Sequence, residues 1–467
     1  MLYCCLDRAV LIFRLPTKTN YFMHIHQFYD EGLAHASYAI IDSGKMALVD
    51  PARDPQPYIA FAKEHGADIV AVFETHPHAD FASSHLEFHK MTGAVVYVHP
   101  DMGVSYPHVA LKDKETVELG KLKIQALHTP GHSPDHHSYL LHDEYGKPYA
   151  IFTGDSLFIG DVGRPDLRED AGKFNLTRSE LAGKMYETMQ TVFKPLPDHV
   201  TVYPAHGAGS LCGKNMSDET VSTIGEQRQT NWAFSETDKT AFVEELLSGQ
   251  PNVPKYFPFS VEENRRGVAA YRSSLEKVAR VQREDDLQKD ILIVDTRPAD
   301  QYKAGHLSNS INIPDGGKFE TWLGTLLAPG TAFYLVAGSQ EGLKTVMEKA
   351  AKISYEQFIK GVYLLTEAPA NGHIQSADLE KVKSNPEAYT ILDVRSPKEH
   401  EQEPAFESSI NVPLDQLLDK AGQVGNGKPI AVHCAGGYRS AIAASILERA
   451  QENEVLDIGD NIKKILG

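Results

Sequence analysis

The chain has 467 residues, 42% of them apolar and 23% charged, which describes a globular protein of about two to four domains. Its formal net charge of −17 excludes nucleic acid and anionic membranes as main partners, so a small anionic substrate needs a local positive site: a metal, an arginine or a nest of backbone N–H groups. Four cysteines, Cys4, Cys5, Cys212 and Cys434, are too few and too scattered for a disulfide framework, and a reducing, cytoplasmic setting is expected.

The first segment, MLYCCLDRAVLIFRLPTKTNYF, has an apolar patch broken by Asp7, Arg8 and Arg14. It lacks the long apolar stretch and small-residue cleavage site of a secretion signal. Nowhere does an apolar run reach the roughly 18 residues of a spanning helix. Residues 1–22 are expected to be a poorly ordered extension, or the product of an upstream start codon, with Met23 a natural start. The Cys4–Cys5 pair then needs no function.

From Met23 to Ala205, short apolar runs alternate with helical stretches. ASYAIID, MALVD, IVAVFETH, AVVYVHP, KIQALHTPGH, YAIFTGDSLF and TVYPAHG each read as a strand that ends in polar residues. Histidines and aspartates gather at these ends, where a rigid scaffold holds loops for chemistry. The loop ETHPHADFASSHLEF, residues 74–88, presents His76, His78 and Asp80, followed by Phe81. Later strand ends add His132 in HTPGHSPD, Asp155 in FTGDSLF and His206 in YPAHG. His85, His89, His99, His108, His136, His137 and His142 are read as ordinary surface or core residues.

This set, in this order, resembles the metallo-β-lactamase superfamily over residues 23–265. The resemblance implies an αββα sandwich with a metal cleft along one edge of its sheets. In two-metal members, the equivalents of His76, His78 and His132 take one ion. Those of Asp80 and His206, with a histidine where Phe81 stands, take the other, and Asp155 bridges. Phe81 removes an imidazole from the second site, which leaves too few ligands for a tightly held ion.

Two imidazoles and a carboxylate with open positions opposite suit non-haem Fe(II) and oxygen chemistry. The sequence is similar to the persulfide dioxygenase branch. That likeness implies one Fe(II) per chain held by His76, His132 and Asp155, with His78, Asp80 and His206 in supporting positions around them. In IGDVGRPDL, Arg164 falls where that branch grips a substrate carboxylate, a task for which a guanidinium fork suits better than a lysine. Cys212, six residues after His206, is a candidate persulfide carrier, weighed against a buried structural thiol.

Beyond the sandwich, GEQRQTNWAFSETDKTAFVEELLSGQPNVPKYFPF reads as helices and a proline-containing connector. ILIVDTRPADQYKAGHLSNSINIP (291–314) then recurs as TILDVRSPKEHEQEPAFESSINVP (390–413). The two copies mark a tandem repeat of about 100 residues, a usual domain size, with the strand–helix alternation of small α/β domains. In the second copy, AVHCAGGYRSA (431–441) places Cys434 after a strand, then a glycine-rich turn, Arg439 and a helix. Inward N–H groups, a helix N-terminus and a nearby cation all stabilise a thiolate or persulfide anion.

This loop resembles the rhodanese active site, and Asp393-x-Arg395 matches the strand end of that fold. Four residues separate Cys434 from Arg439, one fewer than in the phosphatases with a related loop, so sulfur transfer is preferred. In the first copy, LVAGSQEGLKT puts Gly338 against Cys434 and Leu343 against Arg439. Residues 267–368 therefore look like a pseudo-rhodanese, a spacer or docking domain, and residues 369–467 like a catalytic rhodanese domain.

The whole chain resembles fusions that detoxify sulfide. The resemblance implies oxidation of a small-molecule persulfide by O2 to sulfite and thiol, then transfer of sulfane sulfur from Cys434 to sulfite as thiosulfate. A dimer through the metal domains would fit it. Two rivals stand beside it: a zinc thioester hydrolase of the glyoxalase II kind fused to a sulfurtransferase, and a non-catalytic sulfur-carrier scaffold.

Overall fold

The computed structural model describes residues 23–168, 176–250, 252–367, 369, 372–425, 427–451 and 453–466. The extension expected over residues 1–22, with Cys4 and Cys5, lies outside them. Among the described residues, no helix is long and apolar enough to cross a membrane.

Two six-stranded sheets open the chain. The first runs β1 (His24–Asp30), β2 (His35–Asp42), β3 (Lys45–Val49), β4 (Asp68–Phe73), β5 (Val95–Val98) and β6 (Val109–Ala110). The second, from its other edge, runs β7 (Thr116–Leu119), β8 (Leu122–His128), β9 (His137–His142), β10 (Pro148–Gly154), β11 (Thr201–Pro204) and β12 (Ser222–Thr223).

Side chains alternate across each strand. In β2, Tyr38 and Ile40 face the second sheet and meet Ile124, Tyr139 and Phe152. Ala39 and Ile41 face outward, under Tyr58 and Ala62 of one helix and Leu86 and Phe88 of another. The second sheet is covered on its outer face by Ala182, Met185, Phe242 and Leu246 from two further helices. The result is an αββα sandwich, as the sequence predicts. The loops after β3, β4, β8, β10 and β11 carry the polar residues discussed below.

Two parallel five-stranded sheets follow, with one topology used twice. The orders are β13 (Arg280–Val281), β17 (Ile359–Leu364), β16 (Phe333–Ala337), β14 (Leu292–Asp295), β15 (Ser310–Asn312), and β18 (Gln375–Ser376), β22 (Val455–Asp457), β21 (Ile430–His433), β19 (Thr390–Asp393), β20 (Ile410–Asn411). The recurring Asp-x-Arg and Asn are buried polar ties. Arg297 and Arg395 each turn back on their own aspartate at 2.7 Å. Asn312 and Asn411 each donate to the carbonyls of that aspartate and arginine.

Strand register corrects the alignment of the two repeats. Asp295 pairs with Val336 and Asp393 with His433, so Ala337, not Gly338, stands level with Cys434. Three residues, 337–339, then precede the first helix, whereas four, 434–437, precede the second. Arg439 is the second residue of its helix and Glu341 the second of the counterpart. Leu343 is simply a core residue. The first repeat still lacks both nucleophile and cation.

Candidate functional site

The loop after β4 is folded back onto Asp50, at the end of β3. Thr75 donates its N–H and its hydroxyl to the Asp50 carboxylate, both at 2.8 Å. Its oxygen then accepts from His76 Nδ1 at 3.0 Å, which leaves Nε2 of His76 with the lone pair. His132 is fixed in the same way, its Nδ1 donating to the Arg164 carbonyl at 2.9 Å. Asp155 donates its own N–H to His136 Nε2 at 3.1 Å. Just before it, Gly154 adopts φ +52°, and a Cβ there would lie 2.6 Å from Thr75 and His136, so the turn requires glycine.

His76, His132 and Asp155 are all buried, and one ligand atom from each lies within 4.8 Å of the others. Neither oxygen of Asp155 accepts an N–H or O–H bond; the Cys212 thiol beside it is a weak donor. A buried carboxylate left in this state costs several kcal/mol unless a cation meets it. The donor set therefore fits a metal ion.

A second buried group adjoins the first: Asp80, His206 and Cys212. His206 donates Nδ1 to the Ala34 carbonyl at 3.1 Å. Its Nε2 lies 3.2 Å from Asp80 and 3.5 Å from Asp155. Burial, then the charges of Asp155 and Asp80, push the Cys212 thiol well above its usual range, so it sits here as a neutral thiol.

His78 points elsewhere, to Asp50 at 3.0 Å and Glu74 at 3.6 Å. Burial alone would pull it down, but Asp50 and Glu74 raise it to about 9. Its ring packs directly against that of His76, centroids 4.3 Å apart, and Asp50 and Thr75 also link the two through hydrogen bonds. The Phe81 ring is buried against His35 and His78, with centroids 3.8 and 4.4 Å apart. Arg164 is buried; Asp166 holds its Nε and one terminal nitrogen, at 2.7 and 2.5 Å, and the Leu211 carbonyl accepts from the other terminal nitrogen at 3.3 Å.

The loop is clamped from outside the sandwich. Asn264 donates to the carbonyls of His78 and Phe81 at 2.8 and 2.7 Å. Tyr256 donates to the carbonyl of Asp80, and Ala82 donates its N–H to the Lys352 carbonyl of the first repeat at 2.7 Å. The sequence reading missed Asp50, Thr75 and Asn264, and took His136 for an ordinary core residue. Asp50 left a signal, as the polar end of MALVD; Asn264 left none.

In the second repeat, Cys434 is buried at the end of β21 and its Sγ accepts the Gly437 N–H at 3.1 Å. Gly437 adopts φ +95°, and a Cβ there would lie 2.9 Å from the Asp460 nitrogen. Arg439, expected to lend its charge to the sulfur, pairs with Glu399 at 2.8 and 2.6 Å; Cys434 is also among the charges that act on it. Burial works against a charged Glu399, but Arg439 and Ser396 bring it down to about 2. Ser396 and Glu399 form the capping box of their helix, a pattern readable in sequence as Ser-x-x-Glu.

Residues 30–206 match the family described as the Metallo-beta-lactamase superfamily, and residues 276–367 and 376–464 match the Rhodanese-like domain. A probable hydroxyacylglutathione hydrolase from Schizosaccharomyces pombe is 32% identical over 170 residues, 36% of this chain and 58% of that protein. The chain spans about three fifths of the length of the curated hydroxyacylglutathione hydrolases it matches. A crystal structure of a metallo-beta-lactamase from Staphylococcus aureus subsp. aureus COL is 31% identical and covers 74% of this chain and 99% of that one, with a TM-score of 0.66. A crystal structure of ETHE1 from Myxococcus xanthus is 28% identical and covers 52% of this chain and 98% of that one, with a TM-score of 0.45.

Proposed function

We propose that this chain, a metallo-beta-lactamase-fold domain followed by rhodanese-like domains, oxidises small-molecule persulfides to sulfite at one ferrous ion and transfers sulfane sulfur through Cys434. One observation carries the reading. His76, His132 and Asp155 converge on one point, while His78 is turned into Asp50 and Glu74 and Phe81 supplies no ligand. Two imidazoles and one carboxylate are the ligand set of non-haem Fe(II) oxygenase sites. A ferrous ion held there supplies the redox chemistry that zinc lacks.

The overall change balances as R–S–SH, O2 and H2O giving R–SH, sulfite and two protons. The outer sulfur is oxidised and dioxygen is reduced. The protein keeps Nε2 of His76 and His132 free of protons through Thr75 and the Arg164 carbonyl. His206 Nε2, 3.2 Å from Asp80, is placed to take up a proton. Burial of the whole group keeps bulk water from the reacting sulfur.

At the second site, the Cys434 thiolate attacks the outer sulfur of a persulfide. A new S–S bond forms on Cys434, the donor S–S bond breaks, and R–SH leaves with the proton. Sulfite then takes the outer sulfur as thiosulfate, which restores the thiolate. The Gly437 N–H meets the sulfur anion throughout.

The test is metal analysis with oxygen uptake on glutathione persulfide, using iron-loaded protein purified without air. One iron per chain, with oxygen consumed and sulfite formed, is the expected result. Two tightly bound zinc ions and no oxygen uptake would instead support a zinc thioester hydrolase. That second reading is favoured by the Asp80, His206 and Cys212 group beside Asp155 and by the hydroxyacylglutathione hydrolase relatives. Persulfide on Cys434 with no sulfite would mark a sulfur carrier.

A further inference from the structure

A cavity of about 530 Å³ lies where β1 and β2 of the sandwich meet the first repeat, a size that suits one small organic molecule. Neither the metal group nor the Cys434 loop contributes to its lining. Buried residues form its inner end: His35 and Ser37, on one face of β2, with Arg53 and Tyr58. Partly exposed residues form its outer end: Asp54, Tyr271 and Glu348, the last from the helix Gln340–Lys352.

Negative charge outweighs positive around this cavity. Arg53 is shared by Glu356 at 3.0 Å and Glu87 at 3.6 Å, and Lys352 by Asp30 and Glu320, so each cation meets two carboxylates. Asp54 accepts the Gln56 N–H at 3.0 Å and has no ion pair among the described residues. Glu348 meets Lys344 of its own helix at 3.9 Å, an exposed contact. Burial pushes Glu348 up; Lys344 opposes that and Asp54 adds to it. Burial, then Asp54 and Glu348, push the Tyr271 phenol up as well. Two carboxylates and a phenol thus converge at the outer end, where a cation would relieve their repulsion. The inner end gives an independent sign. His35 is buried and makes a hydrogen bond to the Asp50 backbone that favours its proton, while its Nε2 has no partner. Burial, then His206 and His78, hold it well below its usual range, so the ring is neutral and Nε2 is an acceptor. Between the two ends, the Phe28 and Tyr58 rings form an apolar wall, centroids 4.4 Å apart.

We infer that this cavity binds a short aliphatic ammonium compound with a second N–H donor at its far end. The ammonium head sits between Asp54 and Glu348, beside Tyr271, whose ring already faces the Arg53 guanidinium at 5.4 Å. The methylene stem lies against Phe28 and Tyr58, and the far amine donates to His35 Nε2. The site does not depend on the persulfide reading. It bears on the metal loop all the same, because Lys352 lines the cavity and its carbonyl takes the Ala82 N–H, and because the His35 ring packs on Phe81. An occupant therefore joins the sandwich to the first repeat at the place where the loop is held.

The test is equilibrium dialysis of the full chain against radiolabelled 1,4-diaminobutane at fixed ionic strength, with potassium chloride as the competing simple salt. One saturable molecule per chain is expected, and potassium should not displace it. Butylamine, which lacks the far donor, should compete about tenfold more weakly. Asp54→Asn and Glu348→Gln should each weaken binding by about fivefold, with thermal unfolding showing that both variants fold. Uptake that does not saturate, or that potassium abolishes, overturns the inference as a surface-charge effect. Binding that both variants leave unchanged overturns it too, as does butylamine competing as well as the diamine.

Discussion

The two rhodanese-like repeats share one scaffold and put it to opposite uses. Each ends a central strand in Asp-x-Arg and ties it with a distant asparagine. They part at the next loop. The second repeat runs through Cys434 to Gly437, whose positive φ turns an N–H onto the sulfur. The first is a residue shorter and closes with Ser339, which caps its helix by accepting from Gly342. That side chain takes the Gly342 N–H, which is then not available to an anion.

The first repeat has instead taken up the metal loop at the far end of the same helix. The Lys352 carbonyl accepts from Ala82, and Lys352 Nζ bridges Asp30 and Glu320 at 2.7 and 2.9 Å. Glu356 holds Arg53 at 3.0 Å. The region expected to be a spacer or docking domain is a clamp on the neighbouring site. A duplicated domain keeps its buried polar ties because breaking them is costly, and it changes function through one loop.

The sharpest test separates the two sites. Cys434→Ser should abolish sulfur transfer while oxygen uptake persists, and Asp155→Ala should do the reverse. If Cys434→Ser also stops oxygen uptake, the division of labour is wrong. Next, Ala337→Cys puts a thiol level with Cys434 in the shorter loop. It should gain no persulfide from donors that load Cys434; a gain would show that loop length does not distinguish the repeats.

The hold on the metal loop from the helix just before the first repeat is tested by Asn264→Ala, which removes the donor to the buried carbonyls of His78 and Phe81. A loss of about 1–3 kcal/mol of stability is expected, by thermal or urea unfolding, together with weaker metal retention on dialysis.

The smallest effect should come from Glu399→Gln. In the native protein, Glu399 is depressed to about 2. Its pairing therefore stabilises fully above the usual carboxylate range and is lost as pH falls through that value. The variant should flatten the stability profile below that range, measured by urea unfolding across pH.

Much of this was legible in the sequence because the ligands sit at strand ends, where alternation fixes the strand and polarity marks its close. The αββα order and the repeat were readable for that reason. What supports the ligands was not. Asp50 and Thr75 meet across 25 residues, and Asn264 reaches Phe81 across 183. Ser396 and Glu399 could be read as a helix cap, but not as the partner of Arg439, 40 residues on. The match of Gly338 to Cys434 failed because a one-residue deletion shows only in strand pairing. The strand β9 was passed over because it is short, buried and bounded by histidines, so no alternation marks it.

Phe81 lies in the same continuous apolar cluster as Tyr256, Phe257 and the interiors of both rhodanese-like repeats. The Phe81 ring is thus part of a seam between modules. Cutting the chain after the sandwich would bare that seam to water. Heating should melt the sandwich together with the first repeat in one cooperative step.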